Sequence, residues 1–128
     1  MINNPYQAYK KQSIMTMTPA DMLTALYDGL LKELNKALLA FEKKDIAGIN
    51  NSLQKSQLIL RHLQSSLDFQ YEISQNLNSL YDYFLHITIQ ANVKKDADGL
   101  HEIIQMISEL RDTYAEANKQ THSSSANL

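Results

Sequence analysis

Large apolar residues recur along this chain every three or four positions in four long runs, and nowhere do they alternate with polar ones as a half-buried strand requires. The first run is Leu23, Leu26, Leu30, Leu34, Ala37 and Phe41. The second is Ile46, Ile49, Leu53, Leu60, Leu63 and Leu67, and it skips one turn at Ser56. The third is Ile73, Leu77, Leu80, Phe84, Ile87 and Ala91; the fourth is Leu100, Ile103, Ile107, Leu110 and Tyr114. Each is the stripe of an amphipathic helix, and the leucine, alanine, lysine, glutamine and glutamate around it favour helix too. The pattern predicts helices over residues 18–43, 45–66, 71–94 and 97–116.

Punctuation between the runs agrees. Thr18 suits the N-cap, Pro19 the first helical position, and Asp21 completes a capping-box-like arrangement. Lys43, Lys44, Asp45 with Gly48, and Lys94, Lys95, Asp96 with Gly99, repeat one motif. Two cations stand where a helix ends, an acidic N-cap where the next begins, and a glycine in its first turn. Lysine suits the negative helix end and aspartate the positive one, at about 0.3 to 1 kcal/mol each. Two tight turns make two antiparallel helix pairs, joined through Ser65 to Tyr71. The expected fold is all-α, an antiparallel up-down four-helix bundle over residues 18–117. Helices of about 23 residues are roughly 35 Å long, so the bundle is expected to be elongated.

Two unlike tails flank it. Residues 118–128 are polar and serine-rich, without periodicity, and are expected to be disordered. Residues 1–17 hold Tyr6, Tyr9, Ile14, Met15 and Met17 with no regular stripe. Such a segment either covers a groove on its own bundle, as a capping segment, or binds a partner; methionine adapts to both.

Composition narrows the function. A chain of 128 residues, 44% hydrophobic and 20% charged, with two prolines and three glycines, fits one domain. Net charge is -2 and no face collects the lysines and arginines that neutralise phosphates, which argues against nucleic acid. There is no cysteine, so thiol chemistry and Cys-ligated zinc are excluded. The start lacks the pattern of a secretory signal, and no run reaches the ~18 apolar residues of a membrane span; the expectation is a cytoplasmic protein without stable membrane insertion.

Catalytic groups are not apparent. None of Glu33, Glu42, Glu72, Glu102, Glu109 or Glu116 has a histidine three positions on, which excludes the usual di-iron bundle motif. His62, His86, His101 and His122 are scattered, without the i, i+4 spacing of a helical zinc site. None is followed by the lysine and glycine of a histidine phosphotransfer module, and no phosphate or dinucleotide loop occurs. The expectation is a protein that is not an enzyme and holds no metal or cofactor.

A bundle of this kind works by presenting surface. The triplet Leu-Tyr-Asp occurs twice, at Leu26, Tyr27, Asp28 and at Leu80, Tyr81, Asp82, each tyrosine one step outside its stripe. A tyrosine there packs its ring on a neighbour and keeps its hydroxyl near water, at the lip of a groove or the edge of a core. Beside the stripes lie Met22, Tyr27, Leu31 and Leu38 on the first helix, and Tyr81, Leu85, Thr88 and Ile89 on the third. So wide an apolar face either meets two neighbours in the bundle or leaves a strip for an outside helix.

The run Leu80, Tyr81, Asp82, Tyr83, Phe84, continued by Gln90, Ala91, Asn92, Val93, Lys94, Lys95, Asp96, resembles the third-helix signature of the FliS family of flagellar secretion chaperones. Tyr6 and Tyr9, Thr18 and Pro19, Leu26, Tyr27, Asp28 and Gly29, the stretch from Leu63 to Leu67 and the aromatic Tyr114 match in order and spacing. The chain departs from the family at His86 and Ile87, where a basic pair is usual, at Phe69, Gln70 and Tyr71, where the link is usually glycine-rich, and at Tyr114, commonly tryptophan.

The resemblance implies an ATP-independent export chaperone in the bacterial cytosol. Its implied partners are the disordered C-terminal segment of flagellin and the flagellar export gate protein, with other flagellar regulators as further candidates. It implies a client groove for which Met22, Leu26, Tyr27, Leu31, Tyr81, Leu85, Ile89 and Val93 are the candidate residues. It also implies an N-terminal cap that contacts the export gate, for which Tyr6, Tyr9, Ile14 and Met17 are the candidates.

Overall fold

The structure, a computed structural model, describes the backbone of residues 18–126 and the side chains of residues 18–120. Over these residues the chain forms four helices and no strand: α1 (Pro19–Glu42), α2 (Ile46–Ser65), α3 (Glu72–Lys94) and α4 (Leu100–Ala126). The capping box at the start of α1 forms as its residue types require. The Asp21 backbone N–H donates to Thr18 Oγ1 at 3.1 Å, and the Thr18 N–H donates back to the Asp21 carboxylate at 3.3 Å.

The two lysine-rich turns close alike at first and then differ. Lys44 and Lys95 both adopt left-handed backbone, φ 57° and 53°, which helps reverse the chain within three residues in the first turn and five in the second. In the first turn Asp45 caps α2 as expected, accepting from the Gly48 N–H at 3.0 Å. A Cβ on Gly48 would stand 2.4 Å from the Asp45 carboxylate, so the glycine makes room for the cap. In the second turn the Asp96 carboxylate is taken by the Asp98 N–H, at 3.0 Å. That local ring holds residues 96–99 as a turn and delays α4 to Leu100, three residues beyond the expected start. The other end of α4 also departs from expectation. It runs to Ala126 instead of giving way to a disordered tail at 118, because no glycine or proline interrupts it and Asn118 is tied to Asp21 of α1 at 2.6 Å.

Cross-links fix an antiparallel order around the bundle. Asn50 of α2 bonds Asn92 of α3, while Gln64, later in α2, bonds Asn78 and Asp82, earlier in α3. Between α1 and α4, Asp28 pairs with Arg111 at 2.8 Å and Asp21 with Asn118. Helix α1 packs extensively on α2 and on α4, and α2 packs on α3; α3 and α4 approach over a much shorter stretch. Consequently α1 and α3 stand on one diagonal.

The core is built from Leu30, Leu34 and Ala37 of α1, Ile49, Leu53, Leu60 and Leu63 of α2, Phe84 of α3, and Leu100, Ile103 and Ile107 of α4. Serines fill the turn that the second apolar run skips: Ser52 and Ser56 are both buried, and Ser56 donates to the Ser52 carbonyl at 2.9 Å. On α3 the buried face is turned from the expected stripe. Ser74, Tyr81, Phe84, Leu85, Thr88 and Ala91 are buried, whereas Leu77, Leu80 and Ile87 are half-buried and Ile73 is exposed. The rotation follows from the neighbours: α3 leans on α2 and has little of α4 to cover its other flank.

Candidate binding surfaces

The two Leu-Tyr-Asp triplets are where the structure differs most from the expectation. Tyr27 is 0% and Tyr81 1% exposed, and their hydroxyls share a hydrogen bond at 2.5 Å across the diagonal of the bundle. The Tyr114 ring of α4 stacks on Tyr27, centroids 5.9 Å apart. Each hydroxyl therefore finds its polar partner inside the core and not at the water's edge. Burial holds Tyr27, Tyr81 and Tyr114 above the usual tyrosine range, since a phenolate there loses its hydration. The triplets act alike. The leucine is half-buried, the tyrosine crosses the core, and the aspartate reaches an adjacent helix, Asp28 to Arg111 and Asp82 to Gln64 at 2.6 Å.

The other candidate groove residues scatter. Leu85 is buried with the core; Leu26, Leu31 and Ile89 are half-buried; Met22 is 43% and Val93 75% exposed. Because α1 and α3 are diagonal, their residues do not line one groove. Leu31 follows Asp28 by one turn on the α4 side of α1, and Val93 stands at the far end of α3. Tyr27 and Tyr81 meet in the core, and on the surface the structure brings together only Met22 and Leu26. The cap candidates Tyr6, Tyr9, Ile14 and Met17 lie outside the described residues.

Met22 and Leu26 belong to a cleft of about 260 Å³ between the first turns of α1 and the last turn of α2, lined also by Pro19, Leu23, His62 and Ser66. The capping box places its α1 wall. The α2 wall is set by the C-cap, where Ser66 turns its hydroxyl back to the Leu63 carbonyl at 2.8 Å. With that hydroxyl engaged, the cleft offers mainly hydrocarbon and the His62 ring, which suits an apolar side chain better than a polar ligand. Sequence reasoning missed four of its six residues. Leu23 was visible as stripe and Pro19 as punctuation, but nothing local marks His62 and Ser66, which meet α1 only through the fold. The cleft lies at the point where residues 1–17 join α1.

The sequence profile of the family described as flagellar protein FliS matches residues 2–121. This chain belongs to the FliS family. The flagellar secretion chaperone FliS of Bacillus subtilis (strain 168) is 35% identical over 116 residues, 91% of this chain and 87% of the relative. The flagellar secretion chaperone FliS of Salmonella typhimurium (strain LT2) is 32% identical over 117 residues, 89% and 84% of the two chains. A solved structure described as a crystal structure of a flagellar chaperone from bacteria shares the fold, with a TM-score of 0.76 and 22% identity over 90% of this chain and 95% of that one. The FliS relatives are chaperones, and FliS is not an enzyme family. Among the described residues of this FliS chain, no helix is long and apolar enough to cross a membrane.

Proposed function

We propose that this chain is an ATP-independent export chaperone of the bacterial cytoplasm. It holds the disordered C-terminal segment of flagellin, prevents premature filament assembly, and delivers its client to the flagellar type III export apparatus. The chemistry needed is modest. A client segment that becomes an amphipathic helix in the filament lacks the neighbours that cover its apolar face, and a helical bundle lends them. Each anchor side chain buried contributes about 1.5 to 3 kcal/mol, against roughly 2 to 5 kcal/mol for ordering the segment. Two or three anchors suffice, without nucleotide hydrolysis.

The observation that carries this reading is the α1–α2 cleft, where a 43% exposed Met22 stands over half-buried Leu23 and Leu26. Methionine at the mouth of such a cleft adapts to anchors of different shape. Residues 1–17, attached at the cleft and carrying Tyr6, Tyr9, Ile14 and Met17, compete with the client for it. Their displacement tells the export gate that the chaperone is loaded.

Calorimetric titration with a flagellin C-terminal peptide tests the proposal. Met22→Glu should weaken binding at least tenfold with the fold intact, whereas Val93→Glu, at the opposite end of the bundle, should leave it unchanged. Unaltered affinity in Met22→Glu would take the client away from the cleft, and no heat with the unsubstituted protein would end the chaperone reading. Removal of residues 1–17 should leave client affinity equal or higher; abolished binding would contradict the competing cap.

A further inference from the structure

The face of the bundle opposite the cleft is the one where two helices fail to close on each other. Helices α3 and α4 start together at their turn, where the missing side chain of Gly99 lets Ile87 come close: a Cβ there would meet Ile87 Cγ2 at 2.8 Å. From that point they share less packing than any other adjacent pair. The direction of each helix face is fixed by its cross-links. On α3, Asn78, Asp82 and Asn92 turn to α2, so Ile73, Leu80, Tyr83 and Ile87 lie on the flank toward α4. On α4, Arg111 and Asn118 turn to α1, so Met106 and Leu110 lie on the flank toward α3. Ile73 is 57% and Tyr83 37% exposed, and the other four are half-buried. The result is a shallow apolar seam.

Its border on α4 has one sign. Glu102, Glu109 and Glu116 stand one heptad apart on α4, all exposed, along the outer edge of the same flank. None of the three forms an ion pair among the described residues; Glu116 accepts only from Gln120, at 3.5 Å. Arg111, the one arginine or lysine between Leu100 and Asn118, is engaged by Asp28 on the other side. On the α3 edge, Glu72 lies at one end and Lys94 at the other. The three glutamates span about 21 Å of helix, the length of a four-turn partner.

We propose that the α3–α4 seam is a second docking site, for an amphipathic helix of a partner protein whose apolar face is bordered by lysines or arginines at heptad spacing. Apolar side chains of that helix fill the gap between α3 and α4, and its cations face the glutamate border. The border fixes register and rejects acidic helices, which is the usual role of charge around an apolar groove. Residues 1–17 are also basic, but Lys10 and Lys11 are adjacent, and a single pair lacks the heptad spacing of the three glutamates. A second copy of this chain offers lysines on the outer face of α1, at Lys32 and Lys36, and Lys43 just past its end, with Leu39 as the exposed apolar group among them, too little to fill the seam. The proposal does not rest on the client reading, since cleft and seam lie on opposite faces.

The experiment uses the full chain and two synthetic 21-residue helical peptides with one leucine face, one bordered by lysines and the other by glutamates. In fluorescence anisotropy the lysine peptide should bind at least tenfold more tightly than the glutamate peptide. Amide shift changes in nitrogen-15 spectra should fall on α3 and α4, not on α1 and α2. The combined E102K, E109K and E116K variant should reverse the preference between peptides, and I73D should weaken both while circular dichroism stays unchanged. Equal affinity for the two peptides, shifts confined to the α1–α2 cleft, or an unchanged preference in the triple variant would overturn the proposal. Stronger lysine-peptide binding in a K10E and K11E variant would give the seam to the chain's own N-terminal segment. Dimerisation that E109K abolishes would give it to a second copy. Either result overturns the partner assignment.

Discussion

Tyr27 and Tyr81 show how much a single hydroxyl pair decides. Each buried phenol satisfies the other, so removing one oxygen leaves its partner without water or hydrogen bond. Tyr81→Phe should cost roughly 1 to 3 kcal/mol, and Tyr27→Phe with Tyr81→Phe should cost less than the sum of the single changes; urea unfolding of the three variants measures this. The pair also sets the alkaline limit. Burial raises both groups above the ordinary tyrosine value of 10.0 in the folded state. The unfolded chain therefore loses these protons first as pH rises past 10.0, and stability falls from there toward the folded pKa values. Urea midpoints should hold level up to about pH 9 and then drop, and the drop should be shallower in the double phenylalanine variant. The repeated triplet was legible in the sequence, but the tyrosines were placed beside the core and not within it. The reason is range: the partner hydroxyl lies 54 residues away, and a helical stripe records only neighbours within a turn or two.

Local chemistry fixed the helix ends to different degrees. The start of α1 could be read residue by residue, because the Thr18–Asp21 capping box and Pro19 at the first helical position are set by neighbours in sequence, although Asp21 also holds Asn118 of α4. The start of α4 could not, because the Asp96 carboxylate accepts from the N–H of Asp98 inside the turn and does not cap the helix. Its far end was read as disordered from polar composition, although Asn118 anchors it on α1. Gly99 belongs to the same scale. Placing a methyl group there drives it into the Ile87 Cγ2 methyl, so Gly99→Ala should destabilise by about 1 to 3 kcal/mol, and Ile87→Leu in the same chain, which removes that branch, should recover part of the loss. Thermal unfolding of the single and double variants checks this. Failure of the leucine to help would mean that Gly99 serves the turn and not the packing.

Across the whole molecule, cohesion is uneven. Helix α1 is the hub, packed on α2 and α4 and joined to α3 through the tyrosine pair, whereas α3 and α4 barely support each other. Hydrogen exchange should follow this order, with the central amides of α1 and α2 protected longest and those of α4 beyond Asn118 exchanging first; protection of the last turns equal to that of α1 would contradict it. Both proposed surfaces are consequences of this unevenness, the cleft where α1 and α2 end and the seam where α3 and α4 part. Of the groove residues suggested by sequence, Met22 and Leu26 share a surface, and Tyr27, Tyr81 and Leu85 went to the core. The sequence by itself determined that the chain makes four amphipathic helices, where the first one starts, and that it resembles flagellar chaperones, because periodicity, caps and motif order are local properties. Only the tertiary structure decided which flank of α3 is buried, that α1 and α3 meet on a diagonal, and where apolar surface remains open. Those outcomes depend on how four stripes share one core, and each helix turns toward whichever neighbour covers it best.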